Sequence, residues 1–247
     1  MLNKTYLINR FNEVITSENK TYSENVIGVL SEKTLHKTIK NIFEGNQLYQ
    51  EVKIDKYYVD ICINNKIIEV QTKQFNKLRD KLNYLISLNK YDINVVYPVF
   101  TNKTIFNINE GIVDKGKKSP KKFKVPELFH ELYMIKNLLP NNCLTITILL
   151  FEVNEYRIKK NNRKGFECFD RVPTKLVDVI TLDKMEDYVN LLPDNLNEMF
   201  TSKEICEKTK TNIKYVNKML NVLKFLNVIE LIGKDGKKFV YKKKKVE

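Results

Sequence analysis

Residues 57–73 read YYVDICINNKIIEVQTK. Two apolar-rich runs flank Asn64-Asn65, and asparagine tolerates positive φ well enough to serve a two-residue hairpin turn. With that loop the register is set: Ile63 faces Lys66, Cys62 faces Ile67, Ile61 faces Ile68, and Asp60 lies opposite Glu69. Side chains alternate across a strand. One face therefore carries Val59, Ile61, Ile63, Ile68 and Val70 and is expected to be buried. The other carries Asp60, Glu69, Gln71 and Lys73, with Tyr58, Cys62 and Ile67 around them. Two carboxylates directly opposite repel each other. A divalent cation would turn that liability to use, because hard cations take carboxylate oxygens.

Upstream, Ser31 is placed to cap a helix running to about Phe43, with Leu35, Ile39 and Ile42 (or Phe43) at helical spacing and Gly45 ending it. Glu32 and His36 stand four apart on one face of it. A glutamate in a first turn is favoured by the helix dipole whatever else it does, and His36 reads as a helix-surface residue. Residues 49–54 read as a first strand. Its Glu51-Val52-Lys53 precedes Asp60, and Glu51 and Lys53 are expected to support the polar face of the hairpin. Downstream, Leu78, Leu82 and Leu85 mark a second amphipathic helix. Residues 92–100, with Ile93, Val95, Val96, Tyr97 and Val99, read as a buried strand. It is expected to return parallel to the hairpin strand by a right-handed crossover.

An acidic helix, a strand, a strand ending in Asp60, a strand with Glu69-Val70-Gln71, then a helix and a strand: over residues 31–100 this order resembles the PD-(D/E)xK nuclease superfamily of restriction endonucleases and Holliday-junction resolvases. The resemblance implies an α/β (α+β) fold with a restriction-endonuclease-like mixed sheet flanked by helices. It also implies phosphodiester hydrolysis of DNA with Mg²⁺ or Mn²⁺. Asp60 and Glu69 would be the metal ligands, Gln71 would stand at the place of the motif's lysine, and Glu32 would be the acid that the first helix often adds. Val59 stands where the motif often has proline. Gln71 cannot supply positive charge, and Lys73, two residues further on, is the candidate to supply it. The chain as a whole also resembles bacterial proteins that join such a segment to a C-terminal winged helix, a likeness that implies no activity of its own.

Residues 101–195 read as elaboration of a first domain spanning 1–195. They include a hairpin or edge over 104–113 and a lysine-rich loop with Lys117, Lys118, Lys121 and Lys122, which suits phosphate contact as well as it suits a solvated loop. A helix follows from Pro126 to about Leu139, then strands over 144–153 and 176–182, a basic loop at 161–164 and a short helix over 184–192. Residues 1–30 show only weak periodicity. Beyond Pro193-Asp194-Asn195, residues 196–247 read as a second domain. Thr201-Ser202-Lys203-Glu204 fits a capping box, a second helix starts near Asn212, and Asp235-Gly236 marks a hairpin. Helix, turn, helix, hairpin is the order of a winged helix-turn-helix. From Phe200 on, 13 lysines stand against 5 acids. In such a module Lys214, Tyr215 and Lys218 would face the major groove, and Lys234, Lys237 and Lys238 on the wing would face phosphates.

The chain's 247 residues carry a net charge of +13. Bias toward Lys, Asn and Ile explains which basic residue is used but not the excess of base over acid, which favours a polyanionic partner. No apolar run has the length of a membrane span. The N-terminus lacks the apolar core of a signal peptide, so a cytoplasmic protein without a membrane partner is expected. The four scattered cysteines read as buried free thiols, not as disulfides or a zinc site. No small-molecule cofactor is indicated. Nucleases that cut both strands often act as dimers, which makes a homodimer one expected arrangement. The leading function is a metal-dependent DNA endonuclease or resolvase. The alternative is a DNA-binding regulator on a degenerate nuclease fold.

Overall fold

The hairpin that organises the sequence forms with the expected register. In the computed structural model, which describes residues 3–22, 34–160 and 165–244, strands β2 (Tyr57–Ile63) and β3 (Lys66–Val70) pair antiparallel through Ile61–Ile68, Cys62–Ile67 and Ile63–Lys66. Asn64 takes φ +53, the left-handed conformation that asparagine adopts more readily than most residues. The elements around it follow the expected order: α2 (Thr34–Phe43), β1 (Gln50–Ile54), the hairpin, α3 (Phe75–Ser87) and β4 (Asp92–Asn109). The start expected for α2, at Ser31, lies outside the described residues.

The sheet has eight strands in the order β1-β2-β3-β4-β7-β8, where β7 is Leu144–Lys159 and β8 is Phe166–Leu182. Two short strands, β5 (Ile112–Val113) and β6 (Lys117–Lys118), fold back onto β4. The result is a mixed α+β architecture, a multistrand mixed sheet flanked by helices. Strands β4, β7 and β8 are longer than the apolar runs that announced them. Residues 100–108 are half-buried without alternation, so the period-two signal fades although the strand continues.

By internal packing the chain divides into two compact units. The first is Met1–Val70, Val96–Phe123 and Ile148–Ile180; the second is Gln71–Val95, Lys124–Thr147 and Thr181–Glu247. Strands β4, β7 and β8 give residues to both. The division is therefore interleaved along the chain.

The first unit has a core in which α1 (Lys4–Tyr22) places Leu7, Phe11 and Val14 beside Leu35, Ile39 and Ile42 of α2, over Ile61, Ile68, Val70, Phe151 and Val153 of the sheet. Phe11 and Phe151 meet with ring centroids 5.6 Å apart. The weakly periodic N-terminal stretch is thus a core helix: three apolar residues spaced 7, 11 and 14 suffice to cover one end of the sheet face.

The second unit holds α3, α4 (Val125–Leu132), α5 (Met185–Val189) and the C-terminal elements. These are β9 (Met199–Thr201), α6 (Ser202–Thr209), α7 (Ile213–Phe225), β10 (Ile229–Asp235) and β11 (Lys238–Lys243), with a three-stranded sheet ordered β10-β11-β9. Gly236 turns the β10–β11 hairpin with φ +59. Helix α7 buries Val216, Met219, Leu220 and Leu223, as its apolar spacing implied. The capping box is present: the Thr201 hydroxyl accepts from the Glu204 N–H at 3.4 Å, and the Glu204 carboxylate accepts from the Thr201 N–H at 2.6 Å. Replacing Thr201 by alanine is expected to cost about 1 kcal/mol. Urea unfolding would show this as a lower midpoint at unchanged slope; an unmoved midpoint would mean that the cap contributes nothing.

All four cysteines are free, and each is half-buried, not fully enclosed. Among the described residues no helix is long and apolar enough to cross a membrane.

Candidate functional site

The register of β1 against β2 pairs Gln50 with Ile61 and Val52 with Val59, which sets Glu51 opposite Asp60. On the other side the hairpin register sets Asp60 opposite Glu69. By register, positions 51, 60 and 69 fall in one row across three adjacent strands, which would set three carboxylates side by side, a destabilising arrangement unless each is given a partner. The first unit supplies them. Glu51 takes φ +51 and places Oε1 2.8 Å from Nζ of Lys40, whose side chain is almost wholly buried. Asp60 Oδ2 accepts from the Val70 N–H at 2.6 Å, and its Oδ1 lies 3.4 Å from His36 Nε2. Glu69, only 4% exposed, accepts from the Asp60 N–H through Oε1 at 3.3 Å.

His36 and Lys40 are four apart on α2 and so share a face. The helix itself is anchored at its start, where the N–H and hydroxyl of Thr34 both donate to the buried carboxylate of Asp170. His36 is therefore not a bystander on the helix surface: it sits beside Asp60. Lys40 and Asp170 went unnoticed in the sequence. The i, i+4 spacing of His36 and Lys40 above an acidic hairpin was the available signal for the first, whereas nothing local marks Asp170.

Of the other residues expected here, Glu32 lies outside the described residues. Gln71 and Lys73 belong to the second unit. Strand β3 ends at Val70, and Gln74 turns the chain with φ +60 before α3. The strand spacing that would carry Lys73 along the face of Glu69 thus stops short of it. The Gln71 amide donates to the carbonyls of Lys73 at 2.5 Å and Gln74 at 3.5 Å.

Among the described residues no three His, Cys, Asp or Glu side chains converge as a metal-binding set. The Asp60 and Glu69 carboxylates each accept a backbone N–H from the facing strand. Their chemistry suits Mg²⁺, which commonly binds through one or two carboxylates and keeps water and substrate phosphate as its other ligands.

A second charged cluster lies further along the first unit's sheet. Glu155 on β7 is 2% exposed. Its Oε1 accepts from Nε and Nη2 of Arg157 at 2.8 and 2.6 Å, and its Oε2 accepts from Arg171 Nε at 2.8 Å, with Lys103 Nζ at 3.4 Å. Burial alone would push this carboxyl up. The hydrogen bonds from Arg171 and Arg157 and the charges of Arg171 and Lys103 outweigh it and bring the pKa from 4.5 down to about 2.

The lysines expected to meet phosphate are distributed unevenly. Lys117 and Lys118 form the short strand β6 and are exposed, as are Lys121 and Lys122 after it, with Lys122 Nζ 2.5 Å from Asn102 Oδ1. In the second unit, Lys214 is exposed at the start of α7. Tyr215 and Lys218 instead face α4: the Tyr215 ring meets His130 edge-on at 6.0 Å, and Lys218 Nζ lies 2.6 Å from His130 Nδ1 and 5.5 Å from the Tyr133 ring. Lys136 binds α7 through Asn221 Oδ1 at 2.9 Å and lies over Phe225. Lys234, Lys237 and Lys238 are exposed on the β10–β11 hairpin.

A mixed α+β protein with an acidic row on the outer strands of its sheet and a basic cluster at the opposite side of the strand order is the class that these features define. The chain belongs to the family described as a domain of unknown function (DUF8091), which matches residues 33–183. The match takes in Asp60, Glu69 and Glu155 and leaves the C-terminal helices and hairpin outside. No curated protein and no solved structure matches the chain.

Proposed function

We propose that the protein is a metal-dependent DNA endonuclease or resolvase on a restriction-endonuclease-like core, with residues 196–247 acting as a winged-helix DNA-binding tail. The observation that carries this reading is the meeting of Asp60 and Glu69 across the β2–β3 hairpin, within the element order α2-β1-β2-β3-α3-β4. Asp60 and Glu69 would hold Mg²⁺ or Mn²⁺, which when bound polarises a phosphodiester and lowers the pKa of an attacking water. His36 orients Asp60. Lys40 draws Glu51 away from the row, so that two carboxylates and not three crowd the site. Incubation of the full chain with plasmid and branched DNA should show strand cutting that requires Mg²⁺ or Mn²⁺ and stops with chelator. Intact DNA on every substrate would count against the enzyme.

One observation favours a second reading, a non-catalytic DNA-binding regulator. The Gln71 amide is spent on backbone carbonyls, and Lys73 stands past the end of the strand, so strand β3 itself carries no cation at the motif's lysine place. Both readings require DNA binding, and the net charge of +13 supports it.

Within the tail, the packing of Tyr215 and Lys218 against α4 shifts the expected DNA contact toward the hairpin. Replacing Lys234, Lys237 and Lys238 together by alanine should lower affinity and reduce the slope of log K against log[salt] by about 3. Lys218→Ala should change affinity by no more than about twofold. Fluorescence anisotropy across a salt series measures both, and the reverse ranking would place the groove-facing helix surface in the contact after all.

A further inference from the structure

The Glu155 cluster is more than a buried ion pair. Lys103, Glu155 with Arg157, and Arg171 come from β4, β7 and β8, three neighbours in the sheet. Along β7 the same face carries Phe151 and Val153 in the core and then Glu155 and Arg157. The face thus passes from apolar to ionic where the α1–α2 core ends. One carboxylate needs one cation to be neutralised, and this one has three, leaving the cluster with a net charge of +2. Lys117, opposite Ile105 on β4, lies by alternation on the face of Lys103 and adds a further cation to that side.

The donors are not used up. Among the described residues the hydrogen bonds of Arg171 use Nε alone, and its guanidinium lies 5.1 Å from the Phe100 ring. Arg157 spends Nε and Nη2 and keeps Nη1. Both arginine side chains remain 32% exposed, while Glu155 beneath them is 2% exposed. In a chain where only five of 43 basic residues are arginine, two of the five meet here. Arginine differs from lysine in presenting a planar fork that matches phosphate oxygens, and holding that fork in place beforehand removes part of the entropy cost of binding.

We infer that Lys103, Arg157 and Arg171, positioned by Glu155, form a phosphate-binding subsite for the backbone of a nucleic acid, separate from the Asp60–Glu69 pair. This rests on the reading that the chain binds nucleic acid, and not on its cutting it. The test is anisotropy with labelled DNA for wild type, Arg157→Lys, Arg171→Lys and Arg171→Gln, with thermal unfolding run in parallel. The lysine variants keep the ion pair with Glu155 and lose the outward fork, so they separate binding from folding. Each should bind DNA roughly tenfold more weakly while unfolding near the wild-type temperature, and Arg171→Gln should also lower the salt slope by about 1. Wild-type affinity in both lysine variants overturns the inference and leaves the DNA-binding reading standing. A wild-type chain that fails to bind DNA even at low salt overturns both. Inorganic phosphate supplies the remaining arm: if it raises the unfolding temperature of wild type but not of Arg171→Lys, while DNA affinity is equal in the two, the site takes free phosphate and the nucleic-acid assignment is wrong.

Discussion

Glu155→Gln is expected to destabilise the protein at pH 7 by about 2–3 kcal/mol and to flatten its acid sensitivity. The carboxylate is held by two arginines and a lysine with its own side chain out of solvent. Removing the charge leaves three cations facing a neutral amide, and breaking a buried pair on one side typically costs 3–5 kcal/mol. The arginines keep a third of their side chains in solvent, which screens the loss and trims the figure. The pH dependence follows from the lowered pKa. In the folded chain the group titrates at about 2, against 4.5 for an ordinary glutamate. A depressed carboxylate contributes stability above its unfolded pKa and loses it as pH falls toward the folded one. The wild type should therefore shed at most about 3 kcal/mol between pH 4.5 and 2 that the variant never had. Urea unfolding at several pH values measures the gap between the two proteins, which should be widest near neutrality and narrow steadily below pH 4.5. A gap that is constant with pH would show that the Glu155 charge is not what holds these strands.

Asp60→Asn and Glu69→Gln should each lower metal-dependent cleavage at least about a hundredfold while leaving the chain folded. Changing residues one layer outside a metal site commonly costs ten- to a hundredfold, and loss of a carboxylate in direct contact should cost no less. Both amides can still accept the hydrogen bonds now made from Val70 N–H and Asp60 N–H, so the hairpin should survive. Removing either charge also relieves the repulsion across β2–β3, so unfolding temperatures equal to or above wild type are expected. Loss of cleavage together with a raised melting temperature is the pattern of a site that trades stability for function. Full cleavage in either variant would remove that residue from the site.

The hairpin was legible because the Asn64-Asn65 turn and the pairing register that it sets act within a dozen residues, although β3 is buried on both faces from Ile67 to Val70. The same holds for the capping box at Thr201 and Glu204 and for the Asp235-Gly236 turn. The N-terminal helix was not, because Leu7, Phe11 and Val14 are diluted by polar neighbours and earn burial only against α2 and Phe151. The long halves of β4 and β8 were missed because half-buried polar strands lack the alternation that reveals a strand. In the candidate site, Asp60 and Glu69 followed from register, since pairing is a local rule. Lys40 offered only its i, i+4 spacing with His36, whereas Asp170 and the Lys103–Glu155 contact depend on residues far apart in the chain. Thr34 and Asp170, for example, are 136 positions apart. Strand β3 ends at Val70, so the strand spacing that was to set Lys73 on the face of Glu69 does not run as far as Lys73. The expected use of Tyr215 and Lys218 met a competing partner, His130 of α4, which no pattern within the C-terminal segment announces.

The central claim is that Asp60 and Glu69 together hold a divalent cation, and it can be tested without knowing the substrate. Calorimetric titration of the full chain with Mn²⁺, compared with the double variant Asp60→Asn/Glu69→Gln, is the direct measurement. The account predicts a saturable site in wild type whose affinity falls at least tenfold in the double variant, with Mg²⁺ competing for it. Equal affinity in the two proteins, or no saturable site in wild type, would contradict it and leave the DNA-binding regulator as the reading to pursue.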